Sequence, residues 1–387
     1  MMKQYLSIKE QAPDSLLFYR MGDFYELFFD DAVQASEILN ITLTQRGKYQ
    51  GKDIPMCGVP IHAAHNYLAR LTKSGARIAI AEQVESPETA KKRGSKSVIR
   101  REIVRLVTAG TLIEDVLLDA RSHNYLAALI KEGNGIGLAW CDISTGCLRL
   151  MHCSIDDLEA EISRIAPAEL LLDASQAQKL SKRLGFVDAM ITPLEIPPAD
   201  SPPTSPAEHA LILLQHWLKE TQKGVLPYLS EPIREEHSTI MSIDLATRQN
   251  LEILRGRDGT ASLLSCIDLT LTSMGARLLK DDLAAPLTVC SGIEDRQDLV
   301  SIWVDSVLRA QTRALLKSIP DLERAMSRLA LNRATPKDFG QIRQAIAASV
   351  DLRQEIQAHL SNLPQDLSQD ISENIAAKMA PFIDSMH

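Results

Sequence analysis

The sequence predicts two α/β units followed by an all-α one. Short apolar runs with strand-like alternation dominate up to about residue 195, and amphipathic helical periodicity takes over from about Met241. The charge also changes along the chain. Residues 1–110 hold 16 Lys and Arg against 12 Asp and Glu, whereas the remainder holds 26 against 38, within a net charge of −8. The first third is therefore a separate electrostatic object. At 387 residues and 45% hydrophobic content the chain exceeds one ordinary domain and can bury sizeable cores. No apolar run approaches the ~18 residues that span a bilayer. The start, MMKQYLSIKEQ, has no signal-peptide core, so a cytoplasmic location is expected and a membrane partner is not.

Residues 15–29 read as a hairpin: the run SLLFYRM, a Gly22-Asp23 turn, then FYELFF. A helix over 30–39 follows, its acidic start suited to the positive end of a helix. Residues 46–60 read as a Gly- and Pro-punctuated loop, and 62–74 as an amphipathic helix with Tyr67, Leu68 and Leu71 on one side. The strands ARIAIAEQV and VIRREIVRLVT flank a basic loop and close a compact domain near Gly110. Next, YLAALIKE, GIGLAWCDIS and GCLRLMHCS form an antiparallel meander with Gly-rich turns. A helix over 156–165 and a buried strand, AELLLD, follow. Three strands and then α-β-α is the element order of a ribonuclease H-like domain. Residues 193–206 are a proline-rich surface loop that can be neither helix nor central strand.

The last third reads as a helical bundle. GIEDRQDLVSIWVDSVLRAQTRALLKSI, DLERAMSRLALN and TPKDFGQIRQAIAASVDLRQEIQ are amphipathic, and Thr335-Pro336 supplies an N-cap and a preset first turn. The closing ISENIAAKMAPFIDSMH carries no stop signal, so the chain reads as a piece of something longer. The six cysteines read as buried thiols of a reducing compartment. Cys141, Cys147 and Cys153 with His152 are the alternative, a metal group, but they lack the CxxC spacing of structural zinc sites.

Only 4% of the chain is aromatic, yet FYELFF places four rings in six residues around Glu26. In a strand, Phe24, Glu26 and Phe28 share one face, and Tyr25, Leu27 and Phe29 share the other. The second set makes an ordinary core face. A glutamate buried between phenylalanines would need a partner, so Phe28 is expected buried, with Phe24 and Glu26 exposed beside the turn. That is an apolar wedge with a polar tip. Such a ring pushed into a duplex unstacks it most cheaply where pairing is already poor. The carboxylate, repelled by phosphates, recovers that cost by accepting a base N–H that correct pairing would occupy, or by donating after protonation. The bland alternative is a core hairpin with Glu26 paired to a local Arg or Lys. Lys91, Lys92, Arg93, Lys96, Arg100, Arg101 and Arg105, against Glu102 alone, are a candidate phosphate-tracking patch or simply a solvated face.

The run LLFYRMGDFYELFFDDAVQASEILNITLTQRG resembles the amino-terminal mismatch-binding domain of the bacterial DNA mismatch-repair MutS family, whose hallmark is Phe-x-Glu within GDFYE. IPMCGVPIHAAHNYLARL and VTAGT resemble later blocks of that domain, and DISTG a strand end and turn of its connector domain. DLATRQNLEI, DLTLTSMGARLLKDDLAAPL and DLERAMSRLAL resemble its core helices. The resemblance implies a mismatch-binding α/β domain over 1–110, a ribonuclease H-like connector over 111–240 and part of a helical core, or lever, over 241–387. It implies that Phe24 stacks on the mispaired base and Glu26 hydrogen-bonds to it, with Arg46 and Met56 lying near the DNA in adjoining loops. Lys91, Lys92, Arg93 and Lys96 remain candidate backbone contacts.

The implied function is recognition of mismatches and small insertion/deletion loops in duplex DNA, handed on to downstream repair factors in a nucleoid-associated setting. Complete family members are DNA-dependent ATPases and homodimers. No G-x-x-x-x-G-K-[ST] occurs here, and GKYQGKD from Gly47 has the wrong spacing. The chain by itself is thus expected to lack ATPase activity, with no cofactor of its own, ATP and Mg²⁺ belonging to the missing portion. It is expected to be monomeric or weakly associated. The connector also reads as shortened at its proline-rich loop, and the short leader common in the family is missing. Two other readings stay open. One is a ribonuclease H-like nuclease using Asp142, with Glu169 and Asp173 as loose partners for two-metal chemistry. The other is a structural relative that senses no mismatch and so has no need of Phe24-x-Glu26.

Overall fold

A computed structural model describes residues 1–94, 97–198 and 203–361. The predicted elements in 199–202 and 362–387, the terminal helical stretch among them, lie outside the described residues.

The chain opens with α1 (Met2–Lys9), the predicted hairpin β1 (Leu16–Met21) and β2 (Phe24–Phe28), and α2 (Phe29–Leu39). Phe29 does not extend the strand face as expected. It starts the helix at a left-handed φ of 56° and is only half-buried. Residues 46–60 are not a loop: β3 (Thr44–Tyr49) and β4 (Lys52–Pro60) form a second hairpin. Its turn puts both Gln50 and Gly51 at positive φ, the requirement of a primed two-residue turn. The prolines that suggested a loop sit in a strand whose Ile54, Cys57 and Val59 are buried. There follow α3 (Ala64–Lys73), β5 (Ile78–Gln83), α4 (Pro87–Lys92) and β6 (Arg101–Val107).

The six strands lie in the order β3-β4-β2-β1-β5-β6, antiparallel throughout except for the parallel β1–β5 pair. One face carries Phe18, Tyr25 and Leu27 against α2 and α3. The other carries Leu17, Tyr19 and Phe28 against Tyr5 and Ile8 of α1. With two turns of helix covering it, that second face is only partly roofed.

A second sheet has the order β11-β10-β7-β8-β9-β12. Its strands are β7 (Leu126–Glu132), β8 (Gly135–Asp142), β9 (Cys147–Ser154), β10 (Glu169–Asp173), β11 (Met190–Leu194) and β12 (Ile233–Glu236). β7, β8 and β9 are the predicted meander, and β10 and β11 run parallel to β7. Pro193 is tolerated because β11 is an edge strand. Helices α5 (Leu158–Ile165) and α6 (Ala174–Arg183) pack one face, while α7 (Pro206–Thr221) packs the other through Leu213, Leu214 and Trp217. Cys141 belongs to the α7 side and Cys153 to the opposite core, which separates the cysteines of the suggested metal group. Among the described residues, no three His, Cys, Asp or Glu are grouped to hold a metal. Cys57, Cys141 and Cys153 are buried thiols, but Cys266 and Cys290 are exposed, contrary to expectation.

The helical part comprises α8 (Leu245–Asn250), α9 (Leu263–Ile267), α10 (Ser273–Ala284), α11 (Cys290–Ile302), α12 (Ser306–Leu316), α13 (Leu322–Ala330) and α14 (Pro336–Ser361). The long run from Gly292 breaks at 303–305, where Asp305 accepts from the backbone N–H groups of Val307 and Leu308 and starts a new helix. Thr335 precedes α14 as predicted, its N–H and hydroxyl both donating to Asp338 at 2.7 Å. Among the described residues, no helix is long and apolar enough to cross a membrane.

Two joints connect the three parts. At the first, Glu169 is fully buried and accepts from Gly110 N (3.1 Å), Thr192 Oγ1 (2.7 Å) and Thr108 Oγ1. Burial pushes its carboxyl above the ordinary value although these donors oppose the shift. A Cβ at Gly110 would come within 2.8 Å of Glu169 Cβ and 3.0 Å of Leu126 Cβ, so only glycine fits this crossing without a shift. Arg77, over the Trp217 ring, also donates to Thr192. The second joint is ionic. Arg277 of α10 is 1% exposed and binds Asp321, Glu323 and the Ala120 carbonyl, while Arg324 of α13 donates to the carbonyls of Asp119 and Ser122.

Candidate nucleic-acid interface

Strand β2 alternates as its sequence demands. Tyr25 and Leu27 are buried, Phe28 is buried on the opposite face under Tyr5, and Phe24, at the turn, is 47% exposed. The reason is length: α1 reaches over Phe28, and Phe24 and Glu26 lie on the same face toward the turn. From the other face the strand is pinned, since the Tyr25 hydroxyl donates to Glu82, which also pairs with Arg20 at 2.7 Å. Burial, with the Glu82 contact, pushes the Tyr25 phenol well above its ordinary value. Phe24 thus projects from a rigid base.

Glu26 faces Gly58 of β4 on one side and Tyr19 of β1 on the other. Gly58 is a residue that the sequence did not single out. A side chain there would begin 3.8 Å from Glu26 Cγ and 3.9 Å from the Phe24 ring, so its absence leaves open space beside both. The Glu26 side chain is 14% exposed, and both its carboxylate oxygens accept from one guanidinium nitrogen of Arg46, which is 44% exposed. Arg46 lies on β3, not in a loop, at an irregularity between Gln45 and Lys48 where Gly47 has a φ of 72°. Bulges of this kind re-aim side chains near sites, and here Arg46 reaches across β4. Met56 lies on β4 opposite Phe28 and Thr44, half-buried against the α1-side core, with Thr44 Oγ1 donating to its carbonyl at 2.9 Å.

The basic cluster divides. Arg101 is buried, donates to the carbonyls of Arg20 (2.6 Å) and Ile99 (2.8 Å), and stacks over Tyr19. Arg105 is buried against Glu114 and the Thr111 carbonyl. These two support the fold and are not available to phosphates. Arg93 pairs with Glu85 and Arg100 with Glu102. Lys91 and Lys92, at the end of α4, are exposed and unpaired among the described residues. Lys96 lies outside the described residues. Because β5 runs parallel to β1, α4 leaves the sheet at the same end as the Gly22-Asp23 turn. The sheet therefore brings the two lysines and Phe24 to the same end of its strands.

The geometry gives the nuclease reading no support. Asp142 is fully buried and accepts from Ser144 N (2.9 Å), Ser144 Oγ (2.7 Å) and Asn124 N (3.2 Å), with His123 Nδ1 at 2.8 Å. Burial raises its carboxyl, but these partners outweigh it and hold the group below its ordinary value. Glu169 is engaged at the first joint, and Asp173 caps α6 by accepting from Ser175 N at 3.1 Å. Three carboxylates each tied to a different backbone turn do not converge on a metal pair.

Comparison with known proteins agrees with the architecture. Three family profiles match in order: MutS domain I over residues 1–116, MutS domain II over 124–195 and MutS domain III over 246–384. A protein of Ruegeria pomeroyi named DNA mismatch repair protein MutS is 48% identical over 381 residues, covering 91% of this chain and 43% of its own length. Namesakes from Cereibacter sphaeroides and Dinoroseobacter shibae are 47% and 44% identical, with 92% of this chain and 43% of theirs covered. The chain therefore spans less than half the length of these curated relatives. With three successive domain matches and such identity along nine-tenths of its length, the chain belongs to the MutS family, corresponding to its first three domains.

Proposed function

We propose that this chain is the recognition, connector and lever portion of a mismatch-repair protein, and that it binds mispaired bases and small insertion/deletion loops in duplex DNA. The observation that carries the reading is the half-exposed Phe24 ring beside a Glu26 carboxylate already held by Arg46, on a rigid strand and at the same end of the sheet as Lys91 and Lys92. The ring has no packing role that explains its exposure. Phe24 stacks on the mispaired base, and Glu26 accepts a base N–H that a correct pair would occupy. Arg46 neutralises Glu26 in the free protein, which limits repulsion by the approaching phosphates. Lys91 and Lys92 supply sequence-independent backbone contacts, and Met56 backs the wedge through the core under Phe28.

The domains run 1–110, 111–240 and 241–387. The connector is ribonuclease H-like, supported by the strand order β9-β8-β7-β10-β11, with the last two parallel to β7. Nucleotide exchange, with ATP and Mg²⁺, belongs to a portion beyond these domains, as does the main dimer contact of the complete protein. That portion converts binding into a signal to downstream repair factors on the nucleoid.

A gel-shift comparison of a G·T heteroduplex with its homoduplex tests the reading. The wild-type chain should prefer the heteroduplex, and Phe24→Ala should abolish the preference while changing stability by less than about 0.5 kcal/mol, as expected at an exposed position. Equal wild-type affinities for the two duplexes at moderate salt would favour a structural relative that senses no mismatch.

A further inference from the structure

Between the connector and the helical part lies a cavity of about 280 Å³ that no part of the mismatch reading uses. It is bounded by the end of α5, the turn carrying Phe186, helix α8 with the segment after it, and α10. Three cations line it: Arg248, Arg255 and Lys280. Asp188 is the acid among the described lining residues. Most of the remaining wall is apolar, with Phe186 38% exposed and Leu245 beside it.

Two of these cations, Arg248 and Arg255, are poorly compensated. Arg248 is 7% exposed, spends Nη1 on the Ala284 carbonyl at 3.0 Å, and has a buried Nε with no hydrogen-bond partner. Burial, then the like charge of Arg164, lowers its guanidinium below the ordinary value. The nearby acid Glu161 is already paired with Arg164. Lys280 donates to Ser122 Oγ at 2.8 Å, and burial, followed by the charge of Arg255, lowers its amine although Asp119 and Asp281 oppose the shift. Arg255 makes no hydrogen bond or ion pair among the described residues. Placing Lys280 beside Arg255 costs stability, and so does a buried Arg248 donor without a partner. An anion seated in the cavity would supply the missing acceptor.

We propose that this cavity binds a small phosphorylated molecule, its phosphate held by Arg248, Arg255 and Lys280 and its planar apolar body lying against Phe186 and Leu245. The Arg255 fork, the donors that Arg248 has left and the Lys280 ammonium match a phosphate dianion in charge and in donor number better than they match a single carboxylate. A ligand seated there touches α5 and the Phe186 turn on one side and α8 and α10 on the other, so it fastens the connector to the helical part. The site is independent of Phe24 and Glu26.

The test uses the 387-residue chain, which contains no P-loop to confuse the result. Adenosine monophosphate, inorganic phosphate and sodium chloride at matched ionic strength are titrated while thermal unfolding and ³¹P line width are followed. Both phosphates should raise the unfolding midpoint saturably, the nucleotide at lower concentration, and chloride should not. Arg255→Ala, an exposed change that leaves the fold intact, and Arg248→Gln should each raise the half-saturating concentration by about tenfold or more, the value of one lost charged hydrogen bond. Absence of a saturable response, or the same response in both variants, overturns the proposal. So does a response matched by chloride. If short homoduplex DNA displaces the nucleotide and Arg255→Ala weakens DNA binding in parallel, the cations belong to a DNA surface and the small-molecule site is refuted.

Discussion

At the scale of single residues, the pairing of Glu26 with Arg46 has consequences that differ for the two partners. Glu26→Ala removes a negative charge and frees a guanidinium, so homoduplex binding should strengthen and the heteroduplex preference shrink. Arg46→Ala should weaken binding to both duplexes. In a double-mutant cycle read by fluorescence anisotropy the two changes should be non-additive by about 0.5–3 kcal/mol; additivity would mean that they do not meet in solution. A second residue-scale prediction concerns acid stability. Burial would raise the Glu114 carboxyl, but Arg105 outweighs burial and brings it to about 2, from an ordinary 4.5. A depressed carboxyl contributes stability that is present above 4.5 and is lost as pH falls toward about 2. Glu114→Gln should therefore flatten the acid limb of urea-unfolding curves by up to about 3 kcal/mol.

At the scale of elements, the β3–β4 hairpin shows where the sequence could and could not be read. β1, β2 and the β7–β8–β9 meander announce themselves through uninterrupted alternation and Gly turns. Residues 46–60 hide two strands behind Pro55, Pro60 and three glycines, because what makes them strands is the pairing of β4 with β2, a partner distant in sequence, and of β3 with β4 in turn. The same limit hid α1, whose apolar content is modest, and with it the reason why Phe28 is buried and Phe24 is not. The exposure of Phe24 was legible from the alternation, whereas Glu26, expected exposed, is largely covered and paired to Arg46, as the bland alternative had it. Gly58, and the burial of Arg101 and Arg105, were not legible, since each depends on what lies across a sheet. The hairpin also carries Arg46, which gives a prediction. Gly51→Ala at φ 81° should strain its turn by about 1 kcal/mol and speed hydrogen exchange across β3 and β4 while leaving β7 and β8 unchanged. Uniform acceleration across both sheets would show that the hairpin does not open by itself.

At the scale of the whole molecule, the two joints differ in chemistry. The connector meets the helical part through buried arginines, so removing one leaves uncompensated acids. Arg277→Met should strip Asp321 and the partly exposed Glu323 of their shared partner, leaving Asp321 only the longer Arg324 contact, at a cost of about 1–3 kcal/mol. Limited proteolysis should then cut the 112–124 segment, which Arg277 and Arg324 hold through the carbonyls of Ala120, Asp119 and Ser122. Unchanged proteolysis would mean that packing alone secures it.

The joint between the recognition sheet and the connector is made instead by neutral donors around one carboxyl, at a point where the backbone passes too close for any side chain. Gly110 is thus the setting of an angle. A methyl group added there would leave both sheets and the Phe24 wedge intact, yet it would force them apart at the crossing and tilt one against the other. On the proposed function, small changes at this position would act as changes of aim, altering where Phe24 would arrive on a duplex relative to the helical part.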